Sequence, residues 1–266
     1  MARGWVVLCG FALIPVAPAA DGPRPAEVVD FKVVVESYAL SREPVVREDL
    51  VARHGRVYQF STATDEVIVI DPARRRVELL DLGRRVQAEV SFGQLDEALV
   101  RVRATLAETI RDREAKGGRA NAVEAAMTRD LLDPGLRPTP GPAAGRVRLT
   151  NPTVEVDADG EPEADAARLA LVDLAMGTIA KLGAFRVPND LPPFVELDAI
   201  AALTAGRKLR PTELSFLYRL AGPPRRFRRT YRLAPALTDR EREAVARVDR
   251  LHEVAAVVRY EKYRRK

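Results

Sequence analysis

Residues 66–90, EVIVIDPARRRVELLDLGRRVQAEV, contain three short apolar segments separated by two turn sequences. The first segment, Glu66–Ile70, is apolar on both faces, which is typical of an interior strand. Asp71-Pro72 fits a type I turn with proline at its second position, and Asp81-Leu82-Gly83 is a second turn sequence. Residues 86–90 alternate apolar and polar side chains with the period of a half-buried strand. The stretch therefore predicts an antiparallel meander, in which short turns join neighbouring strands.

The residues on either side of this stretch extend the meander and then change to a helical pattern. Residues 29–36 and 56–62 carry apolar side chains at alternate positions, which predicts two further strands. Ser91-Phe-Gly-Gln94 has the spacing of a capping box, in which the serine oxygen accepts from the third amide and the glutamine reaches back. We therefore expect a helix from this box to about Ala115, and a shorter helix over residues 120–132.

Residues 133–145, DPGLRPTPGPAAG, contain four prolines and three glycines and separate the two halves of the chain. This composition predicts neither a helix nor a β-ladder, so the segment is a linker between domains or a long loop within one domain. We expect the N-terminal β-meander with its helices, residues 21–132, to share one core with a C-terminal α+β part, residues 146–266. The reason is that neither half is expected to cover its own sheet well.

The second half mixes strand and helix patterns. Strands are predicted over residues 147–156 with a break at Asn151-Pro152, 213–220 and 226–233, and helices over 165–182, 194–205 and from the capping box Thr238-Asp-Arg-Glu241 onward. Gly183 is the expected C-cap of the first of these helices. The whole pattern predicts an α+β fold: an antiparallel β-sheet meander of about six to eight strands with helices packed mainly on one face.

The N-terminus has the order of features that export requires. Met1–Gly4 carries one arginine, Trp5–Val16 is an apolar run too short to cross a bilayer, and Ala17-x-Ala19 is a small-residue cleavage sequence. We therefore expect residues 1–20 to be a signal peptide and the mature chain to be periplasmic or extracellular. Retention of this segment as a membrane anchor is the alternative. No other stretch approaches the length of a transmembrane span, so none is expected after cleavage.

Side chains with reactive chemistry are scarce. Cys9, the only cysteine, lies within the expected signal peptide, so the mature chain would contain neither a thiol nor a disulfide. The two histidines, His54 and His252, are not spaced as metal ligands and are expected at a boundary or on the surface. No hydrolase or phosphate-loop motif is present. We therefore expect no cofactor, no metal and no catalytic residue.

The motif E-x-D-x-D-G at residues 155–160 is similar to the first half of a calcium-binding loop. Ala166 occupies the position that needs a bidentate glutamate, and the residues before the motif are β-like instead of helical. We therefore interpret Asp159-Gly160 as a turn between a strand and a helix. Glu163 or Asp165 would then lie near the helix N-terminus, where the helix dipole favours a negative charge.

Arginine supplies most of the positive charge. The net charge is +5, lysine occurs at only six positions, and Pro224–Arg232, PRRFRRTYR, contains five arginines and two aromatic residues. Export makes a nucleic acid an unexpected partner, whereas an anionic lipid or a cell-envelope polymer would suit these arginines. One interpretation is therefore an anion contact through Arg225, Arg226, Arg228 and Arg229. The other, which the sequence favours, is an edge strand whose charges prevent edge-to-edge association.

The segment Tyr58–Val90, with strands joined through Asp71-Pro72 and Asp81-Leu82-Gly83, resembles exported lipoprotein-carrier domains. The resemblance implies a curved antiparallel sheet with helices that close an apolar concavity. A carrier would hold an apolar ligand in a cavity, which we expect to be lined by Phe31, Tyr58, Phe60 and Ile68.

The scarcity of reactive groups favours a different first hypothesis. A non-enzymatic exported domain that binds or contacts a component of the cell envelope needs only shape and charge. The carrier of an apolar ligand is the second hypothesis. A hydrolase that uses two carboxylates is the third, because two acids can meet from distant parts of a chain.

Overall fold

The computed structural model describes residues 30–39, 41–140, 145–187 and 191–264. The predicted signal peptide, residues 1–20, lies outside the described residues, as do Val29 and residues 141–144 of the proline-rich segment. The described chain forms one sheet of twelve strands and six helices. The predicted α+β class is confirmed, and the sheet is larger than the six to eight strands expected.

The strands are, in chain order, β1 Phe31–Tyr38, β2 Val46–Arg53, β3 Arg56–Ser61, β4 Glu66–Asp71, β5 Arg76–Asp81, β6 Val86–Ser91, β7 Arg137–Pro140, β8 Arg146–Thr150, β9 Val154–Pro162, β10 Leu209–Tyr218, β11 Arg225–Ala234 and β12 Ala256–Val257. Their order in the sheet is β12-β6-β5-β4-β3-β2-β1-β11-β10-β9-β8-β7. Every pairing is antiparallel except the short one between β12 and β6. Since β1 pairs with both β2 and β11, the sheet continues without a break from the first half of the chain into the second.

The predicted meander from β3 to β6 is present, and its turns follow from their sequences. The carboxylates of Asp71 and Asp81 each accept a hydrogen bond from the backbone amide three residues later, at 3.1 and 2.8 Å. Between β2 and β3, His54 and Gly55 have φ values of 51° and 74°. Two successive positive φ values are those of a two-residue hairpin turn. These short turns keep consecutive strands adjacent in the sheet.

The helices are α1 Phe92–Lys116, α2 Arg119–Leu132, α3 Ala166–Arg186, α4 Phe194–Arg207, α5 Asp239–Val254 and α6 Tyr260–Arg264. Both predicted capping boxes are formed, at the starts of α1 and α5. Asp165 caps α3 by accepting from two backbone amides, each at 3.0 Å. The prediction that Gly183 ends α3 is wrong, because the helix continues to Arg186 and Val187 is its C-cap.

Two hydrophobic clusters make the N-terminal half of the sheet a three-layer structure. The larger cluster lies between α1–α4 and the face that we call the inner face, and it contains side chains from both halves of the chain. On the opposite, outer face, Val245 and Val248 of α5 pack on Tyr58 and Val69. Helices therefore lie mainly on one face, as predicted, and α5 covers the other face of the β2–β5 region.

Two segments differ from their predicted structures. Arg137–Pro140, for which no β-ladder was expected, pairs with β8 as the last strand of the sheet. An outermost strand tolerates proline because the amides on its free side need no partner. Asp159 and Gly160 do not form a turn but lie within β9. A side chain at Gly160 would meet the Leu209 Cβ at 2.9 Å, so glycine permits the close approach of β9 and β10 at this point.

Within the described ranges, no helix combines the length and the apolar character that a membrane crossing requires.

Candidate functional site

The arginine-rich strand β11 lies inside the sheet, between β1 and β10. The alternative interpretation of an edge strand, whose charges prevent association, is therefore wrong. An interior strand has both neighbours in place, so its arginines must be accommodated by the two faces of the sheet. The burial of β11 alternates accordingly, with Tyr231 buried and Arg226, Arg228 and Arg232 exposed.

We call the outer face of β8–β11 the open face, because side chains from it enter none of the three hydrophobic clusters of the described chain. The inner side chains of these strands, such as Val147, Val156 and Phe216, are 3% exposed or less. An antiparallel sheet can leave one face in water when its outward side chains are polar. The open face meets that condition through arginine, aspartate and glutamate.

Most carboxylates of the open face are held by arginines on β8. The Arg146 guanidinium donates two hydrogen bonds to Asp159, at 2.6 and 2.8 Å. Arg148 makes the same bidentate contact with Asp157, at 2.7 and 3.1 Å. Paired contacts of this kind fix the geometry of both side chains. These aspartates are therefore already occupied by cations of the same face.

The carboxylate of Glu155 is occupied in a similar way. It accepts a hydrogen bond from Arg219 at 2.6 Å and lies 3.7 Å from the Arg148 guanidinium. The remaining acid on β10, Glu213, lies 3.9 Å from Arg228 and accepts a hydrogen bond from the Ser215 hydroxyl. The acids of the open face thus leave little negative charge for β11.

The arginines of β11 consequently form the least neutralised part of the open face. Arg228 has only the long contact with Glu213, and its guanidinium lies 4.3 Å from the Tyr38 ring centroid. Arg226 and Arg232 have no carboxylate within 4.0 Å among the described residues. We call Arg226, Arg228 and Arg232, which share the outward face of β11, the arginine row.

A depression of about 290 Å³ lies beside the arginine row. Its lining includes Arg226 and Arg228 from β11, and Ser215 and Leu217 from β10. It offers guanidinium donors, a hydroxyl and a small apolar surface within one concavity. Glu155 and Asp157 also line it, and their carboxylates are bound by Arg219 and Arg148. A charged group with a short apolar extension could be held here, whereas a long acyl chain would extend beyond it.

Arg229, the fourth predicted contact residue, is not part of this surface. It points to the inner face, where its guanidinium forms an ion pair with Glu196 in the first turn of α4. Although burial opposes its charge, Glu196 and the neighbouring Tyr231 raise the pKa of Arg229. The structure therefore brings together Arg226 and Arg228. It places Arg229 in an internal contact, and Arg225, which pairs with the inward Tyr218, lies at the strand end on the same side as Arg229.

The inner ion pair belongs to a small polar cluster. Glu48 on β2 accepts a hydrogen bond from the Gln59 side chain at 2.6 Å. Burial raises the pKa of Glu48, and the hydrogen bond from Gln59 and the charge of Arg229 only partly oppose this shift. Burial likewise raises the pKa of Tyr231 above its usual value. Arg229 is thus the ion-pair partner of Glu196 on the inner face, and its charge also acts on the nearby Glu48.

The four residues predicted to line an apolar cavity lie on opposite faces of the sheet. Phe31 and Ile68 belong to the inner cluster beneath α1–α4. Tyr58 and Phe60 pack on the outer face with α5. Because the sheet separates the two pairs, they do not line one cavity. The register explains the separation: Tyr58 pairs with Val69 and Gln59 pairs with Ile68, so Tyr58 and Ile68 point to opposite faces of the sheet.

The two histidines lie far from the arginine row in the fold. His54 occupies the hairpin turn between β2 and β3. His252 on α5 places its Nε2 atom 3.0 Å from Glu78, whose side chain is 1% exposed. Within the described ranges, no three histidine, cysteine, aspartate or glutamate residues are grouped so as to hold a metal ion.

The sequence interpretation missed Arg232, although the alternation that places Arg226 and Arg228 on one face extends to it. A scan of the chain against protein-family models finds no match, and a search of curated proteins finds none that is similar. The functional argument therefore depends on the geometry of the chain itself.

Proposed function

We propose that this chain is an exported, non-enzymatic binding domain that contacts an anionic component of the cell envelope through the arginine row. The observation that carries the proposal is the excess of positive charge on β11 beside a face whose acids are already paired. Guanidinium groups suit phosphate and carboxylate partners because they can donate two parallel hydrogen bonds. The apolar N-terminal run and the small residues after it support export.

The extent of the arginine row favours an extended anionic surface or polymer as the partner. Arg226 and Arg232 are six residues apart on one strand, which at about 3.3 Å per residue separates them by about 20 Å. One small anion cannot contact both residues. A lipid surface or a polymer with repeated negative groups can contact the whole row.

The test compares two variants of equal net charge. In the first, Arg226, Arg228 and Arg232 are replaced by glutamine. In the control, three exposed cations of the α1–α2 region are replaced in the same way: Arg111, Lys116 and Arg119. Binding to vesicles of phosphatidylcholine with and without phosphatidylglycerol is measured by co-sedimentation at low and high salt.

We expect the arginine-row variant to lose at least about tenfold in affinity for the anionic vesicles, because each basic residue near such a surface contributes about 1 kcal/mol. The control should keep most of its affinity, and high salt should weaken the wild-type interaction. A parallel titration with dextran sulfate and neutral dextran distinguishes a polymer from a lipid surface. Equal losses in both variants would show that net charge alone drives binding, and would refute an assigned site.

A further inference from the structure

A second cleft lies at one end of the sheet, away from the arginine row. Four parts of the chain form it: the β3–β4 turn, the ends of β4 and β5 with the turn after β5, the C-terminus of α3, and α6. Its volume is about 570 Å³, which is within the range of small-molecule sites in proteins. We call it the end cleft.

One wall of the end cleft is held by hydrogen bonds to Glu66. The Tyr263 hydroxyl of α6 donates to one carboxylate oxygen of Glu66 at 2.6 Å. The other oxygen lies 2.7 Å from the Arg186 guanidinium at the end of α3. Burial and the neighbouring Glu66 raise the pKa of Tyr263, so its hydroxyl remains a donor at neutral pH. The position of α6 is thereby tied to β4 and α3.

A second set of contacts fixes α6 to the turn after β5. Arg84 donates through its backbone amide and its Nε atom to the two oxygens of Asp81, each at 2.8 Å. The same guanidinium donates to the backbone carbonyl of Tyr263 at 2.8 Å and lies 5.3 Å from its ring centroid. The walls of the end cleft therefore have a defined shape before any ligand binds, which reduces the entropy that binding must overcome.

Two charged side chains in the lining are not used by this framework. Asp65 lies in the β3–β4 turn and Arg264 lies at the end of α6, and both are exposed. Neither side chain forms a hydrogen bond or an ion pair with another described residue. The end cleft therefore offers one available carboxylate and one available guanidinium in the same concavity.

We propose that the end cleft binds a short peptide with free termini, such as a dipeptide or tripeptide. Its carboxylate would be bound by Arg264 and its ammonium group by Asp65. A simple anion would be repelled by Asp65, and a simple cation by Arg264, whereas a zwitterion is attracted by both. Tyr260, whose ring packs on Phe185 at 4.7 Å between centroids, supplies apolar surface for the body of the ligand.

The experiment uses trialanine, its N-acetylated form and its C-terminal amide as probes. Binding to the wild-type protein is followed by titration calorimetry and by amide chemical shifts. The variants are Asp65→Asn and Arg264→Gln, which keep the size of each exposed side chain. A control pair of exposed charges from α1, Glu97→Gln and Arg101→Gln, carries the same charge changes on a remote surface.

We expect free trialanine to bind and each capped form to bind about fivefold more weakly, since an exposed ion pair contributes at most about that factor. Each variant should lose only one of the two discriminations. Asp65→Asn should bind free and N-acetylated trialanine equally well, and Arg264→Gln should bind free trialanine and its C-terminal amide equally well. Equal binding of all three peptides, or an absence of binding by trialanine, would overturn the proposal. Vesicle binding should be unchanged in both variants, so this test is independent of the arginine row.

Discussion

Replacing Arg229 by methionine is expected to lower the free energy of unfolding by about 2 kcal/mol. A pair that is fully buried loses about 3–5 kcal/mol when one partner is removed, and an exposed pair loses about 0–1 kcal/mol. The Arg229 side chain is 31% exposed and that of Glu196 is 15% exposed, so an intermediate value applies. The substitution also leaves Glu196 without its ion-pair partner and removes the positive charge near Glu48.

Urea unfolding and thermal melts can measure this loss. For a chain of this size, about 2 kcal/mol corresponds to a fall of about 4–8 °C in Tm. Arg226→Met is the matched control, because Arg226 is exposed on the same strand and should change stability by less than about 0.5 kcal/mol. A double-mutant cycle with Glu196→Gln should give a coupling energy of about 1 kcal/mol or more.

Substitution of the second carboxylate of this cluster, Glu48, should not lower stability as substitution of Arg229 does. Burial raises the pKa of Glu48 in the folded state, so the folded chain holds this proton more tightly than the unfolded chain. Linkage then makes stability fall as the pH rises from the unfolded pKa through the folded one. Glu48→Gln keeps an acceptor for Gln59 and removes this fall, so it should be neutral or stabilising at neutral pH.

Two outcomes would refute this account of the inner cluster. The first is an Arg229→Met variant as stable as Arg226→Met, which would mean that the inner ion pair contributes nothing. The second is a Glu48→Gln variant that is strongly destabilised at neutral pH. That result would mean that the ionised form of Glu48, instead of its neutral form, is preferred in the folded chain.

Two further predictions concern the close approach of strands and the contact of α5 with the sheet. Gly145→Ala should lower the free energy of unfolding, measured by thermal melts, by about 2 kcal/mol or more. Its new Cβ would lie 2.5 Å from the Gly160 carbonyl oxygen, and the φ of 86° is unfavourable for a side chain. The control Gly183→Ala lies within a helix and has no neighbour within 4 Å, so it should be neutral or stabilising by about 0.5–1 kcal/mol. Burial raises the pKa of Tyr58 to about 12, and its hydroxyl donates to Asp249 at 2.9 Å. Ultraviolet titration should therefore place this tyrosine about two units above the ordinary value of about 10, with stability lost between these pH values, and Asp249→Asn should lower its pKa.

The meander could be predicted because its information is local. Asp71 and Asp81 begin turns through hydrogen bonds to amides three residues away, and the strands between them are short and apolar. β2 was missed for the opposite reason. Arg47, Glu48 and Asp49 interrupt its apolar pattern, and the inward position of Glu48 is explained only by Gln59 on the neighbouring strand.

The proline-rich strand β7 shows how the position in a sheet changes a local rule. Pro138 and Pro140 cannot donate to a ladder, which predicted the absence of a strand. At the edge of the sheet only one side of the strand needs donors, and Thr139 between the prolines supplies an amide and also donates from its hydroxyl to Arg148. Sequence periodicity could not reveal that this segment is the last strand of the sheet.

The candidate site was partly predictable for a related reason. Alternation along β11 separates Arg226 and Arg228 from Arg229, and this separation is present in the structure. What alternation could not supply is the identity of the groups that each arginine meets. Glu196 reaches Arg229 from α4, 33 positions away in the chain, and Asp157 is taken by Arg148 of β8.

The uneven pairing of the open face argues that β11 has a role beyond solubility. A surface that only needed to remain soluble could continue the arginine–aspartate pairing of β8 and β9 onto the next two strands. On β10, however, the outward residues after Glu213 are Ser215 and Leu217, which cannot neutralise a cation. On the other side of β11, the Glu36 carboxylate accepts a hydrogen bond from Tyr38 and forms no ion pair with an arginine of β11 among the described residues. The strands that flank β11 therefore leave its outward guanidinium groups available, and those groups extend along one strand in the direction that a polyanion or a membrane surface would follow.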